Sequence, residues 1–363
     1  MERVGRPSPS ACALGVFVLI VAAAALRFQG LDWDQGQHLH PDERFLTMVE
    51  TAIRAPRSLA EYFDSARSPL NPANHDYGFF VYGTLPLFLV RLVASVLGMT
   101  DYGQVHWVGR AISAAFDVGT VWLTYSIGAR VAGRRVGLLA CALAAFSVTS
   151  IQNAHFFTVD SPAAFFAAAA LRALLTVAET GSFASHLLFG LAFGAMLACR
   201  INLALLGAVC PLASFLAWRV GGASVGSLAR GAAASGAVAA LVFRLLQPYA
   251  FAGPGFFGIA FAPQFLSSMQ QIRDFATGAA DYPPSVQWIG RPPIVFAGRN
   301  LLLWGIGPAW GVAALAGIAW WIVRRVRDRG PGAWLGVVPL AWAAVLFGYH
   351  SVQFAATLRY FLP

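Results

Sequence analysis

Of the chain's 363 residues, 58% are hydrophobic and only 11% charged, which excludes a soluble globular protein. The formal net charge of +9 comes from 25 basic residues, all arginine, set in short links between apolar runs. That placement excludes a nucleic-acid-binding patch and gives the positive-inside pattern of an all-α polytopic membrane protein. Cys12, Cys141, Cys199 and Cys210 lie in or beside apolar runs without metal-ligand spacing and read as small lipid- or core-facing residues.

Residues 11–27 form the first apolar run, behind Arg3 and Arg6. Ala22 to Ala25 would suit a signal-peptide cleavage site, but the run is as long as a spanning helix needs, and an uncleaved span with its N-terminus in the cytoplasm is expected. Residues 28–106 then read as the first external loop. It gathers Asp32, Asp34, Asp42, Glu43, Glu50, Glu61, Asp64 and Asp76, and the helical spacing of Phe45, Met48, Val49, Ala52 and Ile53 predicts an amphipathic juxtamembrane helix.

Residues 78–98 are long enough to cross a bilayer but contain Gly83, Pro86 and Arg91. Arg130, Arg134 and Arg135 lie between the apolar runs 107–127 and 136–152. If they are cytoplasmic, the first run goes inward, the second outward, and 78–98 lies along or dips into the outer leaflet. The same alternation puts His155 and Asp160 outside, Glu179 inside, Arg200 outside, and Arg219 and Arg230 inside. The stretch 186–218 is too long for one span, so Arg200 and Asn202 mark an external turn. Residues 232–250 return outward and 251–298 form a second large external loop. A span over 300–322 ends in Arg324, Arg325, Arg327 and Arg329; a last one, 333–348, returns outside to Tyr349, His350 and Arg359. The chain reads as one module, 1–363, that stops at Pro363 where a further apolar segment is expected.

The stretch His40-Pro41-Asp42-Glu43-Arg44 sets two acids at a helix start beside a membrane exit. Acids there satisfy free amides and the helix dipole, and they also provide a general base at the membrane surface. His155 to Pro162 is a second helix start, where Asp160 or Ser161 caps and Pro162 suits the first turn. The Asp160 carboxylate is also free to meet a cation, a phosphate-bound metal or an acceptor hydroxyl. Arg200 and Arg359 are external against the charge rule and need a partner: a phosphate at the lipid–water boundary, a loop acid, or lipid headgroups. Arg110 and Asp117 share a helix face and predict a structural pair or a polar helix contact. His38, His40, His75, His155 and His350 are external and leave a divalent cation open, although their spacing matches no ligand motif. The segment Tyr282 to Trp288, with Gln287 and Trp288, reads as a substrate-covering loop or an interfacial aromatic belt.

Taken in order, a first span, an external Asp42-Glu43 pair opening an amphipathic helix, the Arg130–Gly137 link with Gly133, Arg134 and Arg135, and the Phe157-Thr158-Val159-Asp160-Ser161-Pro162 turn resemble the polyprenyl-phosphate-sugar-dependent glycosyltransferases of the GT-C superfamily. The branch of the dolichyl-phosphate-mannose protein mannosyltransferases and bacterial aminoarabinose transferases is the most similar. The resemblance implies a GT-C transmembrane helix bundle and an inverting transfer of a sugar, mannose in the namesake branch, from a lipid phosphate carrier to a protein, lipid or glycan hydroxyl. It implies a site on the external face of a bacterial inner membrane, with Asp42 as general base, Glu43 supporting it and Asp160 as the second acid. Arg200 and Arg359, the latter in an Arg-Tyr-x-x-Pro turn, would meet the carrier phosphate, and His155, Gln287 and Trp288 would line the substrate. Two departures stand out: arginine replaces the frequent lysine at position 200, and the C-terminal spans are missing. A transporter or flippase of a lipid-linked or anionic substrate is the alternative. It predicts midplane charges, interrupted helices and a repeat of the first half in the second, with Asp117 and Arg244 as the candidates. A noncatalytic assembly subunit would need no external acid cluster.

Overall fold

The computed structural model describes residues 9–280, 283–327 and 334–362; Arg3, Arg6, Tyr282, Arg329 and Pro363, and the side chains of Arg324, Arg325 and Arg327, lie outside the described residues. Regular structure among these is helical apart from one antiparallel bridge between Phe251 and Phe261. Among the described residues, four helices are long and apolar enough to cross a membrane, or up to seven if each sharply bent pair is one span.

The first apolar run is α1 (Pro9–Phe28), and it is built into the bundle. Ala23 packs in a small core with Val121, Cys141 and Ala145. Arg27, fully buried, binds Asp117 through Nε and the Ala145 and Ala144 carbonyls at 2.9 and 3.0 Å. The expected Arg110–Asp117 pair therefore does not form. Seven residues separate the two by roughly 10 Å along a helix, and each meets a different neighbour: Asp117 takes Arg27, and Arg110 takes Glu43.

The first loop folds as α2 (Pro41–Ala52) and the short α3 (Leu59–Tyr62), ahead of α4 (Thr84–Leu97) and α5 (Tyr102–Ala132). Leu46 and Val49 of α2, with Ile53 just past its end, bury against Leu87, Val90 and Ala94 of α4 and against Val105 and Val108 of α5. At 14 residues, α4 is roughly 21 Å long, short of a hydrocarbon core. It turns by 119° into α5 at Gly98, whose φ of +69° closes the helix in the left-handed region. Next come α6 (Arg134–Ala145) and α7 (Val148–Ala154), bent by 57° where Phe146 and Ser147 interrupt them.

The centre of the bundle is α8 (Asp160–Thr180), whose Ala163, Ala167, Ala170 and Leu174 are wholly or almost wholly buried. Against it lie α5, α9 (Phe183–Leu197) and α10 (Val209–Arg219), and α11 (Val225–Leu246) packs on α9. The stretch 186–218 is thus two elements that turn at Arg200, with a 3-10 segment, Ile201–Ala208, leading into α10. Small residues let α9 and α11 touch backbone to backbone: a Cβ on Gly190 would lie 2.4 Å from the Ser235 carbonyl oxygen. The second loop folds as α12 (Pro263–Thr277), a 3-10 turn Pro283–Trp288 and α13 (Val295–Asn300), which runs into a π turn, Leu301–Gly305. The chain then bends by 117° into α14 (Pro308–Arg327). The span expected from residue 300 therefore starts later, because Gly307 at φ +85° and Pro308 end one helix and open the next. After α15 (Val337–Ser351), a 3-10 turn, Leu358–Phe361, carries Arg359 back over the bundle.

The bundle has two chemically distinct ends. The starts of α5 and α8 meet where Glu43 joins Arg110 and the Phe157 amide; their far ends meet where Arg130 joins Glu179.

Candidate active site

At the start of α2, Pro41 fits the first turn and His40 caps it, its Nδ1 accepting from the Glu43 amide at 3.4 Å. Successive residues on a helix project about 100° apart, so Asp42 and Glu43 go separate ways. Glu43 turns inward and is fully buried: it accepts from Arg110 Nε and Nη2 at 2.9 and 2.5 Å and from the Phe157 amide at 2.8 Å. Asp34 completes this network 2.9 Å from the same guanidinium. Burial opposes the Asp34 charge, but the hydrogen bonds from Arg110 and from the Leu39 and Gly36 amides outweigh it and hold the carboxyl below its usual range.

Asp42 turns outward and is held by Arg359 Nη1 and the Tyr82 hydroxyl. At the start of α8, Asp160 pairs with Nη1 of Arg200, which sits on the turn after α9. Asp42, Asp160, Arg200 and Arg359 line one cavity of about 130 Å3, together with Val81, Tyr82, Asn202 and Tyr360. The Arg200 guanidinium lies 4.5 Å from the centre of the Tyr360 ring, which His350 backs at 5.3 Å. Burial works against the Arg359 charge, but Asp42 and Asp160 dominate and hold the guanidinium above its usual range. Burial, reinforced by Asp42, raises the Tyr82 hydroxyl, which stays protonated and donates to Asp42. His40 is shifted the other way: burial lowers it in spite of Asp42, and it stacks as a neutral ring on Phe156, centroids 4.3 Å apart.

The remaining expected site residues do not line this cavity. Glu43 is in the buried network. The ring nitrogens of His155 lie 2.7 Å from the Ile151 carbonyl and 2.8 Å from that of Gln29, tying the end of α7 to the exit of α1. Gln287 donates to the Pro284 carbonyl at 2.9 Å within the 3-10 turn that also holds Trp288. Among the described residues, no group of three or more His, Cys, Asp and Glu is placed to hold a metal ion. A divalent cation at Asp42 and Asp160 would have to displace an arginine from each.

Tyr82, Asn202 and Tyr360 are cavity residues that the sequence reading did not single out as site residues. Tyr82 arrives there through Gly83, whose amide donates to the Cys199 carbonyl at 3.0 Å, while Leu85 donates to that of Ala198 at 3.1 Å. A Cβ on Gly83 would stand 2.0 Å from the Ala198 oxygen, so only glycine permits the contact. The glycine just before an apolar helix was the one available signal. Asn202 Oδ1 is a buried acceptor without a partner among the described residues.

The two midplane-charge candidates are both engaged elsewhere. Asp117 is paired with Arg27. Arg244 donates to the Phe256 and Gly255 carbonyls at 3.0 and 2.7 Å and lies between the rings of Phe63 and Phe251, clamping the second loop onto α11.

Comparison with known proteins agrees with this architecture. Residues 84–247 match the family described as dolichyl-phosphate-mannose-protein mannosyltransferase. No curated protein matches by sequence. Among solved structures, the apo oligosaccharyltransferase of Archaeoglobus fulgidus superposes with a TM-score of 0.64 at 16% identity, over 98% of this chain and 49% of that one. The same archaeal enzyme, AglB, in complex with an inhibitory peptide and a dolichol-phosphate gives 0.61 at 15% identity, over 97% and 49%. ArnT from Cupriavidus metallidurans bound to undecaprenyl phosphate gives 0.54 at 16%, over 98% and 58%. The chain thus spans about half the length of the solved structures it matches. The likeness to these membrane glycosyltransferases is one of fold. The family match covers 164 of the 363 residues, less than half of the chain.

Proposed function

We propose that the chain is the membrane module of a glycosyltransferase that moves a sugar from a polyprenyl-phosphate carrier to an acceptor hydroxyl, with inversion, on the external face of a bacterial inner membrane. One observation carries the reading: Asp42, Asp160, Arg200 and Arg359 come from four separate parts of the chain and line one cavity as two carboxylates and two guanidiniums. The acceptor oxygen attacks the anomeric carbon and gives its proton to Asp42; the bond from that carbon to the phosphate oxygen breaks, and the carrier phosphate leaves as an anion. Since the leaving group is already stable, no strong general acid is needed, and the protein supplies a base and fixed positive charge. Arg359 links the two roles. A donor phosphate that takes over its guanidinium frees the Asp42 carboxylate for the acceptor, while Tyr82 keeps it oriented. Asp160 holds Arg200 toward the same phosphate.

Support for the carrier comes from the solved neighbours, whose structures hold a dolichol-phosphate and undecaprenyl phosphate. Support for mannose comes from the matched family's description. The transporter alternative has lost its two candidate charges to structural contacts, Asp117 to an ion pair with Arg27 and Arg244 to backbone carbonyls.

The test is a transfer assay in proteoliposomes with a panel of polyprenyl-phosphate sugars and candidate protein, lipid and glycan acceptors, comparing wild type with Asp42→Asn. Loss of transfer with donor binding retained is expected. Equal turnover by both removes Asp42 as base, and passage of intact donor without transfer replaces the enzyme by a flippase. Labelling of Asp42→Cys and Asp160→Cys from one side and Gly133→Cys from the other is expected for the proposed sidedness.

A further inference from the structure

A second, larger cavity among the described residues is remote from these acids. A groove of about 980 Å3 runs between α5, α8, α9 and α11, walled by Phe116, Trp122, Phe165, Phe166, Leu188 and Leu191. From Phe116 to Arg130 it follows α5 for roughly 21 Å, more than the ~15 Å hydrocarbon depth of one leaflet. Its walls are apolar, but its far end is not: Arg130 and Arg172 both line it there.

Charge at that end does not balance. Arg130 takes Glu179, with Nε 2.6 Å from the carboxylate. Arg172, eight residues before the end of α8, donates to the Ser126 and Thr176 hydroxyls, both at 2.8 Å, and has no ion-pair partner among the described residues. Hydroxyls orient a guanidinium without neutralising it, and an arginine inside a membrane helix is costly until a counter-charge arrives. A single anion with apolar chains satisfies both halves of the groove. The hydrocarbon tail of a polyprenyl carrier does not, because its phosphate is needed at Arg200 and Arg359, at the opposite end of α8.

We propose that this groove binds an anionic phospholipid from the leaflet at the Arg130 end, its phosphodiester on Arg172 and Arg130 and its acyl chains along Phe165, Phe166, Leu188 and Leu191. Basic pockets between membrane helices on the positive-inside face are suited to acidic headgroups. The choice of phospholipid over carrier rests on the transferase reading, while the groove itself shares no lining residue with the cavity of Asp42.

The experiment uses the full chain in phosphatidylcholine vesicles containing a phosphatidylglycerol with a photoactivatable acyl chain, and maps adducts by mass spectrometry. Adducts on the groove residues are expected. They should fall at least fivefold in Arg172→Gln, persist in Arg172→Lys, and disappear in Ala169→Trp, which fills the groove without changing its charge. A phosphatidylcholine probe with the same chain should label it weakly. Equal labelling by the two probes, or no change in Arg172→Gln while folding is intact, overturns the proposal. So does displacement of the label by polyprenyl phosphate but not by unlabelled phosphatidylglycerol, which would give the groove to the carrier instead. Folding of each variant is read from its unfolding temperature.

Discussion

Asp42 and Glu43 are adjacent in the chain and opposite in fate. One carboxylate borders a cavity with Tyr82 and Arg359 as partners; the other is sealed beneath it with Arg110, Asp34 and the Phe157 amide. A single helical step separates the region where chemistry is proposed from the region that holds it in place. Two acids side by side therefore do not form a catalytic pair, and substitutions at the two positions should fail in different ways.

The largest effect expected is on turnover. Asp42→Asn should lower transfer by about 10²- to 10⁴-fold, the usual worth of a general base, while leaving the unfolding temperature near that of wild type. Glu43→Gln should show the reverse. Removing one partner of a buried ion pair costs about 3–5 kcal/mol, and thermal unfolding in detergent should record the loss, with activity per folded molecule much less affected. A large loss of turnover in folded Glu43→Gln would merge the two regions again.

Next in size is the donor. Arg359→Gln should raise the KM for the polyprenyl-phosphate sugar by about tenfold, the order of one charge-assisted hydrogen bond at about 1.5 kcal/mol. Arg200→Gln should act in the same direction. A change in kcat with no change in KM would separate these arginines from donor binding. Tyr82→Phe should cost less, about threefold in turnover, because it removes one neutral hydroxyl that orients the base and leaves the base itself in place.

The smallest effect is on pH. Burial lowers both His38 and His40 below the usual 6.5, so the unfolded chain takes up protons before the folded one does. Their contribution to stability is complete above about pH 6.5 and declines as the pH falls below it. Glu50 acts in the opposite sense: burial raises its carboxyl, so its contribution is lost as the pH rises above the usual 4.5. Unfolding followed from pH 7.5 to 5.5 in a Glu50→Gln background should isolate the histidines, and His40→Gln should flatten the slope.

The helical membrane fold was legible from composition and from the alternation of apolar runs with arginine links. So was the grouping of Asp42, Asp160, Arg200 and Arg359 at one end, because side of membrane follows from adding up crossings and needs no knowledge of packing. The inward turn of Glu43 was not legible, since it depends on where Arg110 lies across a tertiary interface. The partner of Asp117 was hidden for the same reason: spacing along one helix shows which residues share a face, not what lies opposite. Tyr82 escaped because its position follows from a backbone contact at Gly83.

That contact reaches beyond Tyr82. Two main-chain hydrogen bonds stitch the chain at Gly83 and Leu85 to the turn that presents Arg200. The residue oriented on the base and the residue assigned to the leaving phosphate thus ride on a shared strut. A bulkier residue at position 83 would not remove either group; it would spread them apart together, turning a well-spaced donor and acceptor into two half-sites that no longer address the same bond.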